Sequence, residues 1–208
     1  PPTSFFSTAL DEDEMQVVAE EDGEKIAILL DADSLLNQAA RNLPATLLAW
    51  HYRSRFEALI SFSNAAFYGG RLVTIPDRSL RKSSEQSAAV ESSDQGQWRA
   101  GTDRLLSMPI STHRIADGLY ENRINGPEAR YIAGLVRELL ARQTGESIGI
   151  VAFSEAQQSE IEVALDRLAA EDQTFAAALE REYTREDDGQ FNGLFVKNLE
   201  NVQGDERD

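Results

Sequence analysis

Cysteine is absent from the chain, which excludes disulfides and thiolate metal sites. Histidine occurs only at positions 51 and 113, too few and too far apart for a zinc site. No run of 18 apolar residues occurs, so no transmembrane helix is expected. The first residues lack a basic segment followed by an apolar one, so no signal peptide is read and a cytoplasmic protein is expected. Basic residues are scarce: 20 Lys and Arg stand against 36 Asp and Glu, for a net charge of −16 and a pI near 4.5. Taken alone, that balance argues against a nucleic-acid-binding face. Neither G-x-S-x-G nor H-E-x-x-H occurs, and no Ser-His-Asp spacing can be defended. The phosphate-binding string G-x-x-x-x-G-K-[ST] is missing too, as is an acidic Mg-binding motif on a buried strand.

What is present suits one domain of ordinary size, or one plus an appendage. The chain has 208 residues, and 41% of them are apolar, enough for a real core. Charge is uneven. Asp11-Glu12-Asp13-Glu14 and Glu20-Glu21-Asp22 make the start self-repelling, so an exposed or disordered acidic lead is expected over residues 1–25. Residues 44–82 are locally basic, with Arg53, Arg55, Arg71, Arg78, Arg81 and Lys82. Most of these read as a solvated charged face.

The segment Leu47–Tyr68 organises the rest. Leu47-Leu48-Ala49-Trp50 is long enough for a buried strand, and His51-Tyr52-Arg53 is a polar turn. Ser54-x-x-Glu57 then reads as a capping box opening a helix to Tyr68. Phe56, Leu59, Ile60, Ser63 and Phe67 would form that helix's inward face. Leu72-Val73-Thr74-Ile75 is a second short strand. Residues 77–101 lose periodicity and read as a flexible insertion. Leu105–Ile110 is a plausible strand, and a short helix is expected over 34–41. Asn125-Gly126-Pro127-Glu128 starts a helix that runs to about Gln143. Ile148–Phe153 reads as a strand buried on both faces, and Ser154-x-x-Gln157 as a second capping box. Helices follow to Tyr183, with a last strand over 194–199. Helices alternating with short apolar strands predict an α/β fold, a three-layer parallel sheet flanked by helices.

Leu48-x-x-His51-Tyr52-Arg53-Ser54, with Leu59-Ile60-x-Phe62-Ser63-Asn64 and Phe67-Tyr68, resembles motif IV of superfamily 1 DNA and RNA helicases, in the bacterial branch that reads WHYRS. Gly149–Ser154 with Gln157-Gln158 resembles that branch's strand-then-helix segment. The end, Asn201-Val202-Gln203-Gly204-Asp205-Glu206-Arg207-Asp208, resembles motif V, Gln-Gly-x-Glu-x-Asp. Pro1-Pro2-Thr3-Ser4-Phe5-Phe6 resembles the family's segment just past motif III. Four stretches in family order cover nearly the whole chain. The resemblance implies a piece of a larger motor, from just after motif III to motif V. Residues 1–45 would be the acidic lead and tail of the first motor domain, and 46–208 a partial second RecA-like domain.

The same resemblance assigns roles. Arg53 would be an arginine finger at the γ-phosphate, chemistry that a planar fork of donors suits. Tyr52 would stack on the nucleotide base, and Glu206 would accept from a ribose hydroxyl after the tight turn that Gly204 permits. Gln203 and Asn198 would lie along the nucleic-acid track, although relatives often have Thr where this chain has Asn198. ATP and Mg²⁺ are expected as the parent's ligands, none bound to the piece alone. Its partners would be single-stranded nucleic acid, DNA favoured, and the first motor domain in cis. From the residues alone, Arg53 could instead bridge to Glu57, Tyr52 could simply pack, and the Gly204 turn could be an ordinary loop. His51 reads as a packing residue and His113 as a surface histidine. The alternative for the whole chain is a non-catalytic α/β interaction module, which the acidity and the missing phosphate loop favour.

Overall fold

A computed structural model describes residues 16–21, 24–29, 39, 43–44, 46–52, 54, 56–76, 88–205 and 207. Its framework is three parallel strand pairings, each spanning a helical crossover. Ala49–His51 bonds to Val73 through His51 N to Val73 O at 3.0 Å and Val73 N to Ala49 O at 2.7 Å, across helix α1 (Glu57–Phe67). Strand β3 (Ala88–Val90) pairs with β4 (His113–Ile115) across helix α2 (Gln95–Ser107). Strand β5 (Gly149–Ala152) pairs with β8 (Phe195–Asn198) across helices α4 (Glu155–Glu171) and α5 (Gln173–Tyr183). Helix α3 (Gly126–Arg142) links the second unit to the third. Parallel neighbours need such crossovers, so the expected α/β, RecA-like class holds.

The core lies where α3, α4 and α5 cover β5 and β8. Ala129, Ala133 and Val136 of α3 meet Ile161, Ala164 and Leu165 of α4, with Ile150, Phe175, Leu179 and Leu194 alongside. The caps explain why these helices begin where they do. Asn125 Oδ1 accepts from Glu128 N at 3.3 Å, with Pro127 in the first turn. Ser154 Oγ accepts from Gln157 N at 3.2 Å. Asp172 Oδ1 accepts from Thr174 N and Phe175 N, both at 3.0 Å.

Several expectations are corrected. Part of the acidic lead forms a hairpin: β1 (Gln16–Glu21) pairs antiparallel with β2 (Glu24–Leu29), placing Val17 opposite Ile28 and Ala19 opposite Ile26. The insertion is not structureless over its second half, since β3 and the first half of α2 fall within 88–101. Asp94 caps α2 by accepting from Gly96 N at 2.9 Å, and Trp98 Nε1 donates to Ser92 O at 3.1 Å. That helix continues through Leu105 and Leu106, so no strand covers Leu105–Ile110. Residues 77–87, and the helix expected over 34–41 apart from Ala39, lie outside the described residues.

The Ser54 capping box does not form. Helix α1 has Phe56 at its cap position with no side-chain cap bond, and Glu57 Oε1 accepts from Thr74 Oγ1 at 2.6 Å. Nor is α1's apolar face buried: Leu59 is 47% exposed, and no residue of the helix is buried. β5 is covered on one face only, with Val151 exposed and Phe153 90% exposed. The core formed with α3, α4 and α5 covers the other face, where Ile150 and Ala152 sit.

Among the described residues, no helix is long and apolar enough to cross a membrane.

Candidate functional site

The described motif residues fall at two turns, each at the carboxyl end of a parallel strand, where open α/β sheets bind ligands. The first follows Trp50. His51 Nε2 accepts from Ser54 N at 3.2 Å, and Ser54 Oγ lies 2.7 Å from the same nitrogen. An Nε2 that accepts an N–H has its ring proton on Nδ1. The pair spans residues 52 and 53, so the serine expected to cap a helix instead ties off the turn. Tyr52 stands 75% exposed on it. Arg53 lies outside the described residues. Behind the turn, Asn64 fastens α1 to the second strand: its Nδ2 donates to Leu72 O at 3.1 Å and its Oδ1 accepts from Leu72 N at 3.0 Å.

The second turn follows β8. Asn198 is 9% exposed, and its Oδ1 accepts from Asn201 N at 3.0 Å. Its oxygen therefore shapes the turn. Gln203 and Gly204 are exposed, and Gly204 has φ 92°, a conformation that side chains resist. Asp205 Oδ2 accepts from Lys197 Nζ at 2.6 Å. Glu206 lies outside the described residues. Thus Asn198, Gln203 and Gly204 share one turn, while Tyr52 belongs to the other.

A third feature was missed in the sequence. His113, expected at the surface, is half-buried: its Nδ1 is 2.8 Å from Tyr131 Oη and its Nε2 is 3.1 Å from Ser111 Oγ. His113 and Tyr131 line a cavity of about 220 Å³ with Gln97, Gly101 and Arg104. A lone histidine gives no signal of this, because its partner lies 18 residues away on α3. Burial, and then the nearby Arg104 charge, push the His113 pKa down, while burial pushes Tyr131 up. Both therefore stay neutral near pH 7, which suits a structural network.

The lowered His113 pKa fixes the sign of a pH effect. The unfolded state binds the proton more readily, so the contribution is complete above the unfolded value of about 6.5 and is lost as pH falls through the folded value. Thermal melts between pH 7.5 and 5 should show stability declining on acidification, with a shallower decline in His113→Gln. Equal slopes would remove His113 from the account.

Among the described residues, no group of three or more His, Asp or Glu could hold a metal.

Comparison with known proteins agrees with the motifs. The model of the AAA domain family matches residues 32–208. An uncharacterized ATP-dependent helicase of Mycoplasma genitalium is 30% identical over 209 residues, covering 100% of this chain and 16% of the relative. Its Mycoplasma pneumoniae homolog is 30% identical over 210 residues, with the same two shares. The chain thus spans about a sixth of the length of these curated relatives. No solved structure matches it. A family match over residues 32–208, joined to helicase motifs in their order, makes this chain a member of the AAA domain family, of the superfamily 1 helicase-like kind.

Proposed function

We propose that the chain is most of the second motor domain of an ATP-dependent superfamily 1 helicase or translocase, with residues 1–45 the acidic lead and tail of the first and 46–208 the partial second. One observation carries this reading. Tyr52 and Gln203-Gly204 each lie on a turn just past a parallel strand pairing. The relatives' names support ATP use and a nucleic-acid substrate.

In this reading the chain supplies one wall of an ATP site. Tyr52 offers an exposed ring to the nucleotide base, Arg53 a finger to the γ-phosphate, and Glu206 an acceptor to the ribose beside the Gly204 turn. Gln203 and Asn198 face a single strand, with DNA favoured. The phosphate cradle and the Mg²⁺ ligands come from the first motor domain in cis, so the chain alone does not hydrolyse ATP. ATP binding closes the two domains, and hydrolysis lets them open. That cycle steps the protein along its strand in the cytoplasm.

Tyr52→Ala tests the base contact. Stacking on an aromatic is worth about 1–3 kcal/mol, so KM for ATP in the full-length protein should rise by roughly tenfold or more with kcat largely kept. An unchanged KM would mean that Tyr52 makes no nucleotide contact.

A further inference from the structure

We infer that His51 is a positioning residue that fixes where Tyr52 presents its ring. The inference rests on the proposed base contact of Tyr52 and goes beyond it, because the sequence marks His51 as a packing residue only.

The turn leaves a strand that is held in place. His51 N donates to Val73 O at 3.0 Å, and Val73 N donates to Ala49 O at 2.7 Å. The backbone is therefore fixed up to residue 51. It is fixed again at residue 54, where Ser54 N donates to His51 Nε2 at 3.2 Å and Ser54 Oγ lies 2.7 Å from that nitrogen. Tyr52 falls inside this closure. It is 75% exposed, so packing does little to orient it. The direction of its ring follows instead from the backbone dihedrals between the two fixed points. His51 and Ser54 are both half-buried, which strengthens their contact by keeping water back.

The other ties of this unit hold the helix rather than the turn. Asn64 bonds to both backbone groups of Leu72, and Thr74 Oγ1 donates to Glu57 Oε1 at 2.6 Å. These set α1 on the second strand and do not involve His51. Loss of His51 therefore costs order at residue 52 and leaves the helix in place. Ordering the backbone of one residue on binding weakens affinity by about fivefold to thirtyfold. A turn closed beforehand avoids that loss.

The test compares hydrolysis of ATP with that of ribose 5′-triphosphate, which lacks the base, by the full-length protein. Tyr52→Ala should lower the preference for ATP in kcat/KM by about tenfold or more. His51→Ala should lower it by about fivefold or more, through KM for ATP with kcat largely kept. His51→Gln, whose Oε1 can accept in place of Nε2, should keep most of it. The double variant should lose no more than Tyr52→Ala alone, because both residues act on one contact. If Tyr52→Ala behaves as stated but His51→Ala keeps the full preference, or loses activity on both substrates alike, the positioning role is wrong and the base contact stands. The same follows if His51→Gln falls as far as His51→Ala, or if the two single losses multiply in the double variant. If Tyr52→Ala leaves the preference unchanged, the base contact and the positioning role fall together.

Discussion

Arg53→Ala in the full-length protein should lower nucleic-acid-stimulated ATP turnover by about 10³-fold or more while KM for ATP changes by no more than a few fold. The size follows from the chemistry. Phosphoryl transfer gathers charge on the γ-phosphate oxygens in the transition state, and a finger acts there more than in the ground state. Its loss therefore falls on kcat. Arg53→Lys should recover little, because a point charge cannot reproduce the bidentate fork. The His51–Ser54 tie is made by residues 51 and 54, so both variants are expected to keep the turn. Turnover within a few fold of wild type would show that Arg53 is a surface arginine, as most arginines of residues 44–82 are read to be.

The second large effect concerns stability. Leu165 is 0% exposed in the core beneath β5 and β8. Leu165→Ala removes three buried carbons and leaves a cavity that α3 and α5 fill only in part, at about 3 kcal/mol. Hydrogen exchange of the α4 amides in the full-length protein should then accelerate by about 10²-fold. Leu59→Ala on the exposed α1 should change local exchange by no more than a few fold, since little area is at stake. Equal effects at the two sites would mean that the core is not where the packing places it.

Local chemistry made the third unit legible from sequence. Pro127 after Asn125, Ser154 three residues before Gln157, and apolar residues at helical spacing all act within one turn of chain, and each starts or lines its helix as expected. Tertiary partners decided the rest. Gln157 does not reach back to its own cap; its Oε1 accepts from Asn125 N at 2.6 Å and its Nε2 donates to Asn125 O at 3.2 Å, tying α4 to α3. Ser54 turns to His51 rather than to the helix it precedes. Helix α2 was hidden because its sequence mixes Gly, Gln and Arg with few apolar residues, and Trp98 anchors it by packing on α3 under Arg137, whose guanidinium carbon lies 4.8 Å from the ring centroid. The turns after Trp50 and after β8 were legible because turn chemistry is local. The fastening of those turns, by His51 and Ser54 on one and by Lys197 and Asp205 on the other, was not, because such side-chain ties form only once the turn is folded.

The most direct test of the central claim is ATP hydrolysis by the full-length protein, measured without nucleic acid and with single-stranded DNA or RNA. The account predicts turnover that rises strongly when a single strand is added, with the larger rise from DNA. Absence of hydrolysis under every condition would contradict it and leave the chain as a non-catalytic α/β module that keeps a motor's framework.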